Sequence, residues 1–184
     1  MPDFFQGKQC NFYFCFMANT HTVYLLLGSN IHPRTGYLTQ ARTLIRQRVG
    51  EIQNISSVYE SEPWGFDASV FFLNQVVCVT TGFTPEKVLE KTQEIEQQLG
   101  RKEKSKGEMY ASRTLDVDIL FYDDVIVQQP DLKIPHPAIA ERRFVLIPLA
   151  EIVPEKVHPV YKKSCQQLLI DCRDAGKVWK FEEK

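Results

Sequence analysis

Two aspartates stand two residues apart inside an otherwise apolar run, Leu115-Asp116-Val117-Asp118-Ile119. In a β-strand, residues two apart point to the same face, with Cα atoms roughly 6.5–7 Å apart. Asp116 and Asp118 can therefore bind one or two hard cations together. Mg²⁺ suits such a pair because it uses few protein carboxylates and completes its shell with water and phosphate oxygens. The spacing predicts a magnesium site that serves a phosphorylated substrate.

The alternative interpretation of the aspartates is an ordinary solvated strand face. Aspartate is depleted in strands, so two of them in so apolar a strand favour the metal site. Arg113 precedes the run, but it shares the parity of the opposite face, so strand geometry alone does not place it beside the aspartates. That opposite face is predicted to be wholly apolar and consists of Leu115, Val117, Ile119 and Phe121.

Several cationic side chains are candidate phosphate ligands, because arginine recognises phosphate with paired donors. Phosphoryl-type transfer depends mainly on positioning and charge stabilisation, so metal and arginines belong together. Each cation taken singly could instead be an ordinary surface charge. His136 is the best placed, because Pro135 and Pro137 restrict its backbone. The candidates are Arg101, Arg113, His136, Arg142 and Arg143.

A second group of residues could bind a flat, polar ring. Phe72 and Asn74 share one face of a predicted strand, where a ring and an amide could contact one heterocycle. The alternative is a core phenylalanine beside an edge asparagine. Trp64, which follows Pro63 in a loop, could either cap a pocket or cover the core.

The elements that must position these residues follow the order β-α-β-β-α-β. This order predicts an α+β, ferredoxin-like fold with an antiparallel sheet and both helices on one face. Additions follow at the C-terminus, with a helical run at 138–150 and a short helix at 164–172. The polar segment 101–112 is predicted to be a long exposed loop. Strands are predicted at 22–27, 52–59, 70–81 and 114–122, and helices at 36–49 and 84–99.

Bulk properties narrow the class of protein. The length of 184 residues favours one domain, at 22–184, with residues 1–21 a disordered or non-native extension. The net charge of -1 shows no basic excess, which argues against a nucleic-acid partner. We expect no membrane association, because no stretch is long and apolar enough to span a bilayer. The five cysteines lack CxxC spacing and indicate reduced thiols in a cytoplasmic protein.

These pieces, in this order, resemble the 6-hydroxymethyl-7,8-dihydropterin pyrophosphokinase family of folate biosynthesis. The resemblance covers roughly 22–156. The Arg-Thr-Leu-Asp-Val-Asp run is its most specific part. The matching blocks are Leu27-Gly28-Ser29-Asn30, Phe72-Leu73-Asn74, Ile95-Glu96, Gly100-Arg101, Arg113-Thr114-Leu115-Asp116-Val117-Asp118-Ile119-Leu120, Pro135-His136-Pro137 and Arg142-Arg143-Phe144.

The resemblance implies transfer of a pyrophosphoryl group from ATP to the hydroxymethyl group of the pterin, with release of AMP. It implies that Asp116 and Asp118 hold two Mg²⁺ ions and that Arg101 and Arg113 assist catalysis. The implied ATP-binding residues are Gln93, Glu96, Arg101, Tyr110, Arg113, Ile119, Lys133, His136 and Arg142. The implied pterin-binding residues are Ser61, Glu62, Trp64, Phe72, Asn74, Asp116 and Phe144, with Phe72 and Phe144 on either side of the ring.

Departures from the family pattern keep an alternative open. Glu103 stands where many members have a second loop arginine, and Tyr110 where some have tryptophan. A pterin- or nucleotide-binding protein with reduced or lost activity is therefore the alternative function. A palm-type nucleotidyl transferase and a non-catalytic RNA-binding sheet are further rivals. Near-neutral charge argues against the first, and aspartates that repel phosphate argue against the second. We expect a monofunctional monomer.

Overall fold

A computed structural model of the chain describes residues 20–64, 71–100 and 114–182. Its centre is a six-stranded antiparallel sheet in the order β5-β1-β4-β3-β8, in which β2 also pairs with β4. A separate hairpin is formed by β6 and β7. The strands are β1 (His21–Ser29), β2 (Glu51–Ile55), β3 (Tyr59–Ser61), β4 (Phe72–Thr81), β5 (Asp116–Tyr122), β6 (Val127–Gln128), β7 (Lys133–Ile134) and β8 (Val178–Lys180).

Two of the described helices begin where the sequence supplies a side-chain cap. The Thr84 hydroxyl accepts a hydrogen bond from the Lys87 N–H at 3.4 Å, and proline follows at the first helical position. Ser164 and Gln167 form a reciprocal capping box before the last helix. No helix among the described residues is long and apolar enough to cross a membrane. The helices are α1 (Arg34–Arg48), α2 (Pro85–Gln98), a 3-10 turn (Ile139–Glu141), α3 (Arg143–Ile152) and α4 (Cys165–Asp171).

One face of the sheet, here called the first face, packs against α1 and α2. Val23, Leu25 and Leu27 of β1 point to it and have no exposed surface. They share one core cluster with residues of both helices, including Leu38 and Ile95. Full burial of each such side chain stabilises the fold by roughly 1.5–3 kcal/mol. The predicted α+β, ferredoxin-like core with both helices on one face is confirmed.

The opposite, second face of the sheet is covered by the C-terminal additions. Leu26 of β1 and Val76 of β4 lie in a separate core cluster with Leu146 of α3 and Leu168 of α4. The chain therefore has two hydrophobic cores on either side of one sheet. This second layer of helices comes from residues beyond the βαββαβ unit.

A bulge in β5 corrects one prediction about the apolar face. The pairing with β1 shifts from Tyr24 opposite Phe121 to Leu25 opposite Ile119, so Leu120 is an extra residue in β5. Strict alternation put Phe121 on the same face as Leu115. Phe121 instead belongs to the second core, together with Leu120. The bulge lies after the two aspartates and leaves their shared face unchanged.

Other boundaries also differ from the predicted ones. The predicted strand 52–59 is two strands, β2 and β3, which pair with different parts of β4. The predicted helical run 138–150 is a 3-10 turn followed by α3. His21, assigned to the N-terminal extension, is instead the first residue of β1. Residues 1–19 of that extension lie outside the described part of the chain.

Cys78, Cys165 and Cys172 are free thiols.

Candidate active site

Three neighbouring strands place an amide, a glycine and a carboxylate in one row on the second face. Gly28 of β1 lies opposite Asn74 of β4 and opposite Asp116 of β5. A β-carbon built on Gly28 would lie 3.8 Å from Asn74 Oδ1 and 3.9 Å from Asp116 Cβ. Because glycine has no side chain, a gap stays open between the amide and the carboxylate. We call Asn74, Gly28 and Asp116 the polar row.

The asparagine of the polar row is held from the neighbouring strand. Asn74 is only 2% exposed, and its Nδ2 donates to Ser61 Oγ at 2.9 Å. Ser61 in turn lies opposite Phe72 in the register of β3 and β4. Phe72 and Asn74 share a face, as the alternation predicts, so ring, amide and hydroxyl lie together.

A cavity of about 300 Å³ runs along the outer edge of β5. Among the described residues β5 pairs only with β1, so its outer edge faces α2 and the β6–β7 hairpin. Side chains from both faces of β5 line this β5 cavity, because it follows the edge of the strand. Its lining includes seven of the predicted site residues, Gln93, Glu96, Asp116, Asp118, Ile119, Lys133 and His136.

Glu96 fixes the wall of the β5 cavity. Glu96 is 4% exposed, and its carboxylate accepts the Val117 N–H at 2.8 Å. That N–H lies on the outer edge of β5, where no other strand of the described segments pairs with it. A charge-assisted bond of this kind ties α2 to the strand that carries both aspartates. Glu96 thus contributes to the cavity by positioning Asp116 and Asp118.

His136 is a neutral donor at the cavity. Burial, with a smaller contribution from the charge of Arg142, lowers the pKa of His136 from 6.5 to about 4, although Asp116 acts in the opposite direction. Its Nδ1 lies 3.2 Å from the Ala138 N–H, so Nδ1 is the acceptor and Nε2 carries the proton. The His136 backbone N–H donates to the Leu120 carbonyl at 3.0 Å, which anchors this proline-flanked loop to β5.

Arg142, which is predicted to bind ATP, contacts two residues that are predicted to bind the pterin. Its guanidinium carbon lies 4.5 Å from the Trp64 ring centroid and 5.8 Å from that of Phe144, within cation–π range. Within the described residues, Arg142 Nε and Thr114 Oγ1 are the buried side-chain atoms that lack a hydrogen-bond partner. A buried unsatisfied donor costs about 1–3 kcal/mol, so Arg142 Nε is suited to a polar ligand.

Other predicted residues are less central or lie outside the described segments. The Glu62 N–H donates to the Lys177 carbonyl at 3.3 Å, and its carboxylate accepts the Lys177 N–H, so Glu62 is engaged with the C-terminal segment. Arg143 begins α3, and its N–H donates to Asp174 Oδ2 at 2.9 Å. Arg101, Glu103, Tyr110 and Arg113 lie outside the described residues, and their roles stay predictions.

Sequence reasoning missed part of the site. The predicted strand at 22–27 ends before Gly28, whereas Gly28 lies inside β1 and opens the polar row. A glycine inside a strand often marks a close approach of a ligand, and that signal was available. The hairpin residues Pro130, Asp131 and Leu132 also line the β5 cavity. They carry no motif, so only the tertiary structure shows their position.

Fold and site together define an α+β protein with paired carboxylates beside a cavity of about 300 Å³. Residues 24–154 match the family described as 7,8-dihydro-6-hydroxymethylpterin-pyrophosphokinase (HPPK). The chain therefore belongs to the 7,8-dihydro-6-hydroxymethylpterin-pyrophosphokinase family. This confirms the predicted family and the predicted class of ATP-dependent pyrophosphokinase of folate biosynthesis.

Individual relatives agree with this assignment. The chain is 40% identical over 146 residues to the 2-amino-4-hydroxy-6-hydroxymethyldihydropteridine pyrophosphokinase of Aquifex aeolicus. The matched region covers 79% of this chain and 89% of the relative. It is 43% identical over 138 residues to the protein of the same name from Porphyromonas gingivalis. This match covers 74% of this chain and 93% of the relative. The protein of the same name from Bacillus subtilis is 42% identical over 130 residues, and this match covers 70% of this chain and 76% of the relative.

A solved structure supports the fold. The HPPK-DHPS of Plasmodium falciparum, in a triple mutant with SDX-DHP, superposes with a TM-score of 0.67 at 19% identity. The superposition covers 84% of this chain, and the chain spans 44% of that longer protein. At this identity the likeness concerns the fold alone.

Proposed function

We propose that the chain transfers the β,γ-pyrophosphoryl group of ATP to the hydroxymethyl oxygen of 6-hydroxymethyl-7,8-dihydropterin. The observation that carries this proposal is the position of Asp116. It lines the β5 cavity and also stands across Gly28 from Asn74. A carboxylate shared by both places is where a nucleotide phosphate chain and a second substrate would meet.

The residues present fit Mg²⁺. Asp116 and Asp118 are half-buried, point to one face of β5 and line the same cavity. Mg²⁺ is usually bound by one or two carboxylates together with substrate phosphates, and two aspartates meet that demand. When bound there, the ion supplies charge neutralisation for the phosphate oxygens. We propose two such ions, in line with the family resemblance.

The β5 cavity is the proposed nucleotide side. Its volume of about 300 Å³ is within the range for small-molecule sites. Lys133 supplies a positive charge on its wall, and Gln93 an amide. The Nε2–H of neutral His136 can donate to a phosphate or ribose oxygen without becoming charged. Arg101, Tyr110 and Arg113 are proposed to complete this side.

The proposed pterin side lies across the polar row. Asn74, already hydrogen-bonded to Ser61, presents an amide to the edge of a flat heterocycle. Phe72 from β4 and Phe144 from α3 supply aromatic surfaces, since α3 packs on the face to which Phe72 points. Aromatic stacking with a few polar contacts suits such a ring. Trp64 and Arg142 lie at its margin, and Arg142 can reach toward the phosphates.

The chemical step follows from this arrangement. The pterin hydroxyl oxygen forms a bond to the β-phosphorus while the bond from that phosphorus to the α,β-bridging oxygen breaks. AMP leaves with the electron pair of the broken bond, and the hydroxyl proton is released. The chain contributes position and charge, which dominate catalysis of this class of reaction. Arg101 and Arg113 are proposed to stabilise the charge that develops.

The identity of the nucleotide product tests this proposal. Purified chain with ATP, Mg²⁺ and 6-hydroxymethyl-7,8-dihydropterin should yield AMP and diphosphorylated pterin in equal amounts, measured by chromatography. ADP as product would contradict pyrophosphoryl transfer. Pterin binding without nucleotide turnover would support the alternative that Glu103 suggests, a binding protein with lost activity. A monomeric state and a cytoplasmic location stay predictions.

A further inference from the structure

The C-terminal strand β8 is joined to the part of the sheet that carries the proposed pterin side. Val178 lies opposite Ser61, and Ser61 lies opposite Phe72, so three strands place these residues in one line. Without β8, the three-residue strand β3 would be the edge of the sheet on this side. Residue 178 is also well beyond residue 154, where the family match ends.

Residues 177–181, here called the C-terminal strap, hold the chain where it leaves β3. The Lys177 carbonyl accepts the Glu62 N–H, and the Phe181 N–H donates to the Val58 carbonyl at 2.9 Å. Lys177 Nζ also lies 3.8 Å from Glu62 Oε1. The backbone is thus bonded on both sides of Ser61, whose hydroxyl orients Asn74.

The same strap holds the chain where it enters β4. The Trp179 ring meets the Phe71 ring edge-on, with centroids 5.3 Å apart and planes at 83°. Trp179 Nε1 donates to Glu60 Oε2 at 3.2 Å. The other carboxylate oxygen of Glu60 accepts from Arg34 Nη1 at 2.6 Å, which also donates to the Phe71 carbonyl at 2.8 Å. Phe71 directly precedes Phe72.

The charges in this arrangement are protected from solvent. The Arg34 and Glu60 side chains are only 13% and 16% exposed, so their pairing is stronger than an ordinary surface ion pair. Trp179, by contrast, is 37% exposed and Phe71 39%. Their contact therefore contributes little to the core, although Phe71 directly precedes Phe72 in the chain and Glu60 directly precedes Ser61.

We propose that Trp179 is a positioning residue for the pterin substrate, acting through Glu60 and Phe71 on Ser61, Phe72 and Asn74. This inference rests on the proposed function, since it assigns a purpose to the strap at that same site. The C-terminal strap is hydrogen-bonded to the exit from β3 and contacts the entry to β4 through the Trp179 ring. It thereby sets the spacing between the hydroxyl–amide pair and the aromatic ring.

Substitutions of Trp179 in the full chain test the inference. Trp179→Ala should raise the KM and the dissociation constant for the pterin about tenfold, while the KM for ATP changes less than about twofold. Trp179→Phe keeps a ring against Phe71 but loses the bond to Glu60, so it should have a smaller effect of the same kind. Ile170→Ala, at a 72% exposed apolar position of α4, is the matched control.

The outcomes separate this inference from the proposed function. A lower melting temperature with unchanged pterin parameters, or equal rises in KM for both substrates, would overturn the positioning role and leave the proposed function standing. If the parent chain makes no AMP, the proposed function fails, and fluorescence titration with the pterin alone still compares Trp179→Ala with the parent. A parent chain that binds no pterin overturns both. Circular dichroism establishes that each variant folds.

Discussion

The two faces of the sheet differ although the same strand contributes to both. On the first face, Val23, Leu25 and Leu27 of β1 enter one continuous core beneath α1 and α2. On the second face, Leu26 enters the core beneath α3 and α4, and two residues further along Gly28 lies in the polar row instead. The second face is therefore part core and part site.

This difference shows how the fold makes room for chemistry. The first face is closed by helices that belong to the βαββαβ unit itself. The second core includes the row of Leu26 and Val76 but not the next row, that of Gly28 and Asn74. Polar side chains flank the gap at Gly28, which is where we propose that the pterin binds. Each prediction below should affect one face and spare the other.

The largest effect is expected from Asp118→Asn. Loss of one carboxylate charge beside the phosphates should lower kcat about 10²–10³-fold, the range for removal of one transition-state stabiliser. The unfolding free energy should stay near that of the parent, because Asp118 lies outside both cores. Steady-state AMP formation and urea denaturation measure the two quantities. Asp131→Asn, an exposed residue of the cavity rim, is the control.

Activity retained by Asp118→Asn would contradict the assignment of the metal ligands. A comparable loss in Asp131→Asn would instead indicate that any change of charge around the cavity lowers the rate. Either result would remove the distinction between the site and the rest of the second face.

An intermediate effect is expected from Gly28→Val. A β-carbon at Gly28 makes only ordinary contacts, but the added methyl groups would fill the gap between Asn74 and Asp116. The KM for the pterin should rise about tenfold, since the lost space costs a binding interaction of the order of 1.4 kcal/mol. The matched control is Gly82→Val, because a β-carbon there meets nothing within 4 Å.

An unchanged KM in Gly28→Val would show that the polar row does not contact substrate. Folding should be retained, because valine suits a strand. Circular dichroism and the melting temperature test that expectation for both variants.

The smallest effect concerns pH and the helical layer on the second face. Burial lowers the pKa of His158 below its ordinary value of 6.5. Its Nδ1 accepts N–H groups of Val160 and Tyr161, both at 3.2 Å, which requires the neutral ring. The unfolded chain takes up a proton near pH 6.5 and the folded chain only at lower pH. The contribution of neutral His158 to the unfolding free energy is therefore fully present above about pH 6.5. It declines as the pH falls toward the pKa of His158 in the folded chain.

His158→Asn keeps an acceptor at this position but removes the titration. Its unfolding free energy should decline less than that of the parent between about pH 7 and about pH 5, as measured by urea denaturation. Equal declines in the two proteins would contradict the inference that His158 is held neutral by the fold. AMP formation at pH 7 should be unchanged.

Much of this molecule could be predicted from local pattern. Alternation placed Asp116 and Asp118 on one face, because side chains in a strand repeat every two residues. Thr84 and Pro85 predicted the start of α2, because capping chemistry is local to the first turn. The motif order also predicted the family and the βαββαβ core, both of which are confirmed.

The rest required long-range geometry. The bulge at Leu120, the gap at Gly28 and the hydrogen bond that the Val117 N–H donates to Glu96 all depend on which strand or helix lies alongside. No local pattern in the sequence encodes such a partner. The C-terminal strap has no motif either, and its backbone bonds to β3 do not depend on side-chain type. Sequence alone thus determined the chemistry that the chain carries, whereas tertiary structure decided which groups meet, because contacts between distant segments depend on register and packing.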